Sequence, residues 1–186
     1  MNFIDHRANL NVNPSIVLAA SAILALSACA HLSMMTSASS NTDTKFGAVV
    51  MLQPDSVLEE RGVLTIDFAD FVKSAQTSTA NIWKNTKLPE SSGFLVLAVR
   101  AGGKVNAWLD MEPELPVSVE SPTIQRLRSL PGFYVTNGTI VFAIKLSING
   151  APETSRQTPL PKEWAVVLKS KSLPADTESL VQLVWP

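Results

Sequence analysis

The segment FLVLAVRAGGKVNAWLDM constrains the fold more than any other part of the chain. Phe94 to Arg100 is a continuous apolar run, which is typical of a strand buried on both faces. Ala101-Gly102-Gly103 supplies a turn, and apolar residues occupy every second position from Lys104 to Met111. The pattern predicts a β-hairpin.

Two helices are predicted around this hairpin. Residues 67 to 85 place apolar side chains on one stripe at spacings of three and four. The stripe consists of Phe68, Phe71, Val72, Ala75, Ile82 and Trp83. A shorter helix is predicted from Ser121-Pro122 through Leu130, with serine as N-cap and proline at the first helical position.

The remaining segments complete an α+β pattern. Phe133 to Thr136, Asn137-Gly138 and Thr139 to Ile148 predict a second hairpin. The core face of its long strand is predicted to be Ile140, Phe142, Ile144 and Leu146. A strand is expected at Phe46–Gln53, a helix at 162–171 and a terminal strand in SLVQLVW. The expected architecture is a small antiparallel sheet with helices packed on one face, followed by a C-terminal extension, residues 149–186.

Composition excludes several functions. The chain has 15 basic and 16 acidic residues, so it lacks the charge that attracts nucleic acid. Residues 32–186 contain no histidine and no cysteine, which excludes Ser-His and Cys-His nucleophiles and the usual zinc sites. We therefore expect no enzyme, no cofactor and no metal. Carboxylate chemistry stays as an alternative, although Asp110, Glu112 and Glu114 are interpreted as a solvated acidic rim.

An apolar run near the N-terminus indicates export. Ile16 to Leu26 is an uncharged run of about 11 residues. This length suits the core of a signal peptide and is short of the roughly 20 residues of a membrane span. The following Leu26-Ser27-Ala28-Cys29 resembles a bacterial lipobox.

The lipobox resemblance implies three parts of the chain. Residues 1–28 are a lipoprotein signal peptide, and Leu26, Ser27 and Ala28 are recognised by the signal peptidase. Cys29 becomes the first residue and carries the lipid that attaches the protein to a bilayer. Residues 29–45 are a flexible tether, and residues 46–186 form a single domain. Ala30, in place of aspartate, implies the outer membrane, with the domain facing the periplasm.

Residues 67–148 resemble the C-terminal domain of the TonB/TolA family. The resemblance rests on a helix ending near Trp83, then Lys87-Leu88-Pro89, the glycine-turned hairpin, a short helix and a long strand. It covers about 80 of the roughly 150 residues that follow the signal peptide. The chain departs from the family in lacking a proline-rich spacer and an adequate membrane span, and residues 149–186 have no counterpart.

The TonB/TolA resemblance implies binding of a cell-envelope protein by strand addition. The long strand is then expected to lie beside or form the open edge, with Thr139, Val141, Ala143, Lys145 and Ser147 as candidate residues. The alternative is that SLVQLVW covers this edge. The resulting function is a lipid-anchored, non-catalytic binding protein; the other hypothesis is an inner-membrane energy transducer with an uncleaved N-terminal anchor.

Overall fold

The computed structural model of the protein describes residues 41–170 and 176–185. The strands are β1 (Thr44–Met51), β2 (Ser91–Arg100), β3 (Lys104–Glu112) and β4 (Thr139–Ile148). The helices are α1 (Ser56–Glu60), α2 (Thr65–Trp83), α3 (Val117–Arg128), α4 (Lys162–Ser170) and α5 (Thr177–Val184). The predicted α+β class is confirmed, since the four strands form one antiparallel sheet in the order β1-β4-β2-β3.

The β2–β3 hairpin forms as the sequence predicts. Ser92 pairs with Glu112 at one end and Arg100 with Lys104 at the other. Gly102 and Gly103 form the turn with φ angles of 82° and 68°, a region that side chains with a Cβ rarely adopt. The hairpin therefore has a register fixed by its turn.

The first face of the sheet packs against α2 and α3. The predicted core residues of β4 are confirmed, and they are buried with the buried face of α2, which recurs every three or four residues. These residues are Ile140, Phe142, Ile144 and Leu146 of β4, and Phe71, Val72, Ala75 and Trp83 of α2. In the same core, the indole N–H of Trp83 donates to Oγ1 of Thr123 on α3 at 2.9 Å.

The C-terminal extension supplies a second helical layer. Phe94, Val96 and Ala98 of β2 are buried on the opposite face of the sheet, under α4 and α5. Helices therefore cover both faces, not one. Trp164 of α4 packs on this face of the sheet, with its ring centroid 5.5 Å from that of Trp108. The double coverage explains why β2 is apolar at every position from Phe94 to Val99.

Three boundary predictions are wrong. SLVQLVW is helical, because Asp176 accepts from the N–H of Ser179 and caps α5, whose apolar residues also fit a helical period. The short helix begins at Val117, because the carbonyl of Pro116 accepts the N–H groups of Val119 and Glu120 and starts it a turn earlier. Residues 133–136 form no strand, since the N–H of Thr136 donates to the carbonyl of Arg61 instead.

Candidate functional site

The predicted strand-addition residues lie on β4, which is paired on both sides. Ser147 and Ala143 pair with Lys45 and Val50 of β1, and every residue of β4 pairs with β2. The expectation that β4 itself forms an open edge is therefore wrong. The physical reason is that the strand near the start of the domain reaches across and takes that edge, so β4 lies beside the edge strand.

The part of β4 that extends beyond β1 is closed by side chains. The side-chain amide of Gln53 accepts from the N–H of Val141 at 2.8 Å and donates to the carbonyl of Thr139 at 3.0 Å. It thus occupies the position of a peptide group of a neighbouring strand. The N–H of Thr139 donates to Glu178 of α5 at 2.9 Å, and Glu178 pairs with Arg61 at 2.5 Å. No backbone position of this end is open to a partner.

The open edge of the sheet is the outer side of β1, which we call the β1 edge (residues 44–51). Lys45, Ala48 and Val49 of this strand are exposed. The pairing with β4 shifts between Phe46 and Val49, which places a bulge opposite Lys145. Bulges and lysines on an edge strand are devices that oppose uncontrolled edge-to-edge aggregation.

The other edge strand, β3, is protected. Its residues Val105 to Leu109 are buried, and α3 packs against them. The backbone N–H of Ala107 donates to Oδ1 of the neighbouring Asn106, which also accepts from Nε of Arg128 on α3. Of the two edges of the described sheet, the β1 edge is therefore the accessible one.

A groove of about 440 Å³ lies beside the C-terminal end of β1. Its walls come from remote parts of the chain: residues 50–54, at the end of β1 and just after it, and residues 158–168 together with α5 in the C-terminal extension. The lining residues include Val50, Leu52, Leu160, Trp164 and Leu168. Among the residues that the structure describes, the twelve that line the groove carry no ionisable side chain.

Trp164, one of the residues that line the groove, carries a buried polar group. The residue is 3% exposed, and its buried indole N–H has no hydrogen-bond partner among the residues that the structure describes. A buried donor without an acceptor costs about 1–3 kcal/mol, so such groups are uncommon in folded proteins. The side chains that line the groove are mostly apolar, as in many binding pockets.

Two ion pairs hold the extension against the sheet. Nη1 of Arg156 lies 3.0 and 2.9 Å from the two carboxylate oxygens of Asp110, and its guanidinium lies over the ring of Phe94. The N–H of Leu160 donates to the same carboxylate at 2.6 Å. Lys145 pairs with Glu153 at 3.4 Å. These contacts fix the segment that carries the groove wall.

The acidic residues do not form a metal site. The Asp110 carboxylate is occupied by Arg156, and Glu114 pairs with Lys162 at 2.8 Å. That hydrogen bond raises the pKa of Lys162. Within residues 41–170 and 176–185, no three His, Cys, Asp or Glu side chains are arranged to hold a metal ion. The N–H of Ser179 lowers the pKa of Asp176 at the start of α5.

The lipobox residues Leu26, Ser27, Ala28 and Cys29 lie outside the described residues. Within the described part, no helix has both the length and the hydropathy needed to cross a bilayer.

Sequence reasoning missed the groove, although Trp164 and the proline-flanked Leu160 were visible signals of an apolar surface in the extension. No protein-family model, no curated protein and no solved structure matches the chain.

Proposed function

We propose that the chain is a lipid-anchored protein of the bacterial cell envelope that binds another protein through the β1 edge. The anchor is the acylated Cys29 implied by the lipobox resemblance, and Ala30 favours the outer membrane. The binding is strand addition, in which an extended segment of the partner pairs with the backbone of β1. The accessibility of the β1 edge, beside a fully paired β4 and a protected β3, is the observation that carries the proposal.

The position of β1 in the chain supports this arrangement. Thr44, the first residue of β1, lies fifteen positions after Cys29. A fully extended chain of that length reaches about 50 Å, so an anchor at Cys29 would keep the start of β1 within that distance of the membrane surface. A partner embedded in or lying on the same membrane is then held at high effective concentration.

Lipid attachment is tested by labelling cells with radioactive palmitate. Cys29→Ala is expected to abolish labelling, because the thiol is the acceptor of the lipid. Ser27→Ala is the matched control and should still be labelled, since a small residue is retained at that position. Labelling of the Cys29→Ala protein would refute the anchor. Mass spectrometry of the purified protein distinguishes the lipoprotein from the alternative, an energy transducer with an uncleaved N-terminal anchor. A chain that begins at Cys29 excludes the energy transducer.

Strand addition is tested with a photo-reactive amino acid placed at Ala48, on the β1 edge. The control position is Val166, which is exposed on α4. We expect one cell-envelope protein to be crosslinked from Ala48 and not from Val166. In the purified complex, hydrogen exchange of β1 backbone amides should slow, because they become hydrogen-bonded to the partner. Crosslinking from Val166 alone, or unchanged exchange in β1, would contradict the proposal.

A further inference from the structure

We propose that Asn137 is a site of spontaneous chemical modification, at which the side-chain amide is converted to aspartate and isoaspartate. The chain contains two Asn-Gly pairs, Asn137-Gly138 and Asn149-Gly150. The structure fixes the second pair away from the reacting conformation and leaves the first pair accessible. This inference is independent of the lipid anchor and of the binding function proposed above.

The reaction needs an asparagine that can rotate and a glycine that follows it. The deprotonated backbone nitrogen of the glycine attacks the side-chain carbonyl carbon of the asparagine, and ammonia leaves to give a succinimide ring. Water then opens the ring at either carbonyl, so each product, aspartate or isoaspartate, carries a new carboxylate. Glycine favours the attack because it has no Cβ beside the nucleophilic nitrogen. Hydrogen bonds that fix the asparagine oppose ring closure.

Asn149 is fixed in a tight turn. Its φ is 55° and that of Gly150 is 85°, as in the two central residues of a type I′ turn. A hydrogen bond of 3.1 Å between the first and last residues closes this turn. The side-chain Oδ1 of Asn149 accepts from the N–H of Asp43 at 3.0 Å, and its Nδ2 donates to the carbonyl of Leu88 at 2.7 Å. Ring closure at Asn149 would break both side-chain hydrogen bonds.

Asn137 does not share these restraints. It is exposed and lies in an irregular segment two residues before Thr139, the first residue of β4. Within the described residues, the side-chain hydrogen bonds around this segment join Arg61, Thr139 and Glu178 and do not include Asn137. The carbonyl of Gly138 accepts from the residue after β2 at 3.3 Å, so this bond does not use the nitrogen that attacks. The fold therefore directs the reaction to Asn137.

Both sites are compared in one sample of the purified protein. Trypsin separates them, because Lys145 lies between the two asparagines. The folded protein is incubated in mildly alkaline buffer, and mass spectrometry measures the replacement of the amide NH2 by a hydroxyl in each peptide. A sample digested at once gives the conversion caused by the digestion itself. We expect Asn137 to react at least roughly tenfold faster than Asn149, which corresponds to about 1.4 kcal/mol of local opening at Asn149.

Unfolding in concentrated urea separates the effect of the fold from that of the local sequence. Each asparagine precedes a glycine and follows a β-branched residue, Thr136 or Ile148. In urea, the two sites should therefore react at similar rates. A difference that persists in urea would overturn the inference, because it would come from the local sequence and not from the fold.

Asn137→Gln is the matched variant. It should abolish the fast conversion and leave that of Asn149 unchanged, since glutamine would have to close a larger and slower-forming ring. Gly138→Ala is unsuitable, because Gly138 has a φ of 65° and a Cβ there would lie 2.7 Å from Oε1 of Glu178. Equal rates at the two sites in the folded protein would overturn the inference. So would an unreactive Asn137 in the folded protein when the urea-unfolded chain is converted.

Discussion

Replacing Asp110 by asparagine should lower the free energy of unfolding by about 2 kcal/mol. The Asp110 side chain is 12% exposed and accepts hydrogen bonds from Arg156 and from the N–H of Leu160. Asparagine has the same shape but only one acceptor oxygen, so at least one donor loses its partner. The change therefore acts on the contact that holds the extension to β3.

The magnitude follows from the exposure of the pair. Breaking a fully buried ion pair costs about 3–5 kcal/mol, whereas an exposed pair contributes about 0–1 kcal/mol. The Arg156 side chain is 35% exposed, so water replaces part of its lost contacts. The expected loss lies between these limits, at about 2 kcal/mol, which for a domain near 150 residues lowers Tm by about 4–8 °C.

Urea denaturation followed by tryptophan fluorescence measures this loss, with an unchanged m value as the check that compactness is preserved. The control is Glu114→Gln, which removes an ion pair between two exposed side chains, Glu114 and Lys162. This variant should stay within about 0.5 kcal/mol of the original chain. A loss below about 0.5 kcal/mol for Asp110→Asn, or equal losses in both variants, would refute the reasoning.

Other contacts give further expectations. Thr123→Val should lower the free energy of unfolding by about 1–3 kcal/mol in urea denaturation, because it leaves the buried indole N–H of Trp83 without an acceptor. The loss should be smaller in the Trp83→Ala background, where this donor is absent, and an equal loss there would contradict the contact. Asp176→Ala should destabilise the protein at neutral pH. Because the pKa of Asp176 is lowered on folding, the loss of stability in the variant should be complete above pH 3.8 and should disappear as the pH falls through the folded-state pKa. A difference in denaturation midpoint that does not change with pH would contradict the role of the ionised Asp176 carboxylate. Gly93→Ala should lower the free energy of unfolding by about 3 kcal/mol or more, because the new Cβ would lie 2.0 Å from the carbonyl oxygen of Asp110. A soluble variant with unchanged Tm would contradict the register in which β2 pairs with β3.

Local signals in the sequence were sufficient for the elements they determine. The β2–β3 hairpin depends on an apolar run, a two-glycine turn and alternation, all within about 20 residues, and it was predicted almost to the residue. The stripe on α2 likewise identified the first face of the core. The terminal run SLVQLVW fits both a strand and a helix, and the cap from Asp176, which decides between them, was not recognised.

The candidate site depends on pairings that no local pattern encodes. The partner of β1 lies 91 to 104 positions further along the chain, so the sequence could predict a strand near residue 46 but not the edge that it closes. The groove is built from residues 50–54, residues 158–168 and α5, and its apolar character emerges only when these segments meet. The lipid-anchor prediction, in contrast, depends on four adjacent residues and on a preceding apolar run.

The sheet order also sets how this protein must fold. Met51 pairs with Phe142 and Thr44 with Ile148, so the paired residues of β1 and β4 are 91 to 104 positions apart. At a synthesis rate of about 5–20 residues per second, β1 waits roughly 5–20 s before its partner strand exists. During that interval Val49, Val50 and Met51 form an unpaired apolar strand, and closing so long a loop slows folding further. The strand proposed to offer an interface in the finished protein is therefore the strand that waits longest for its partner in the nascent one.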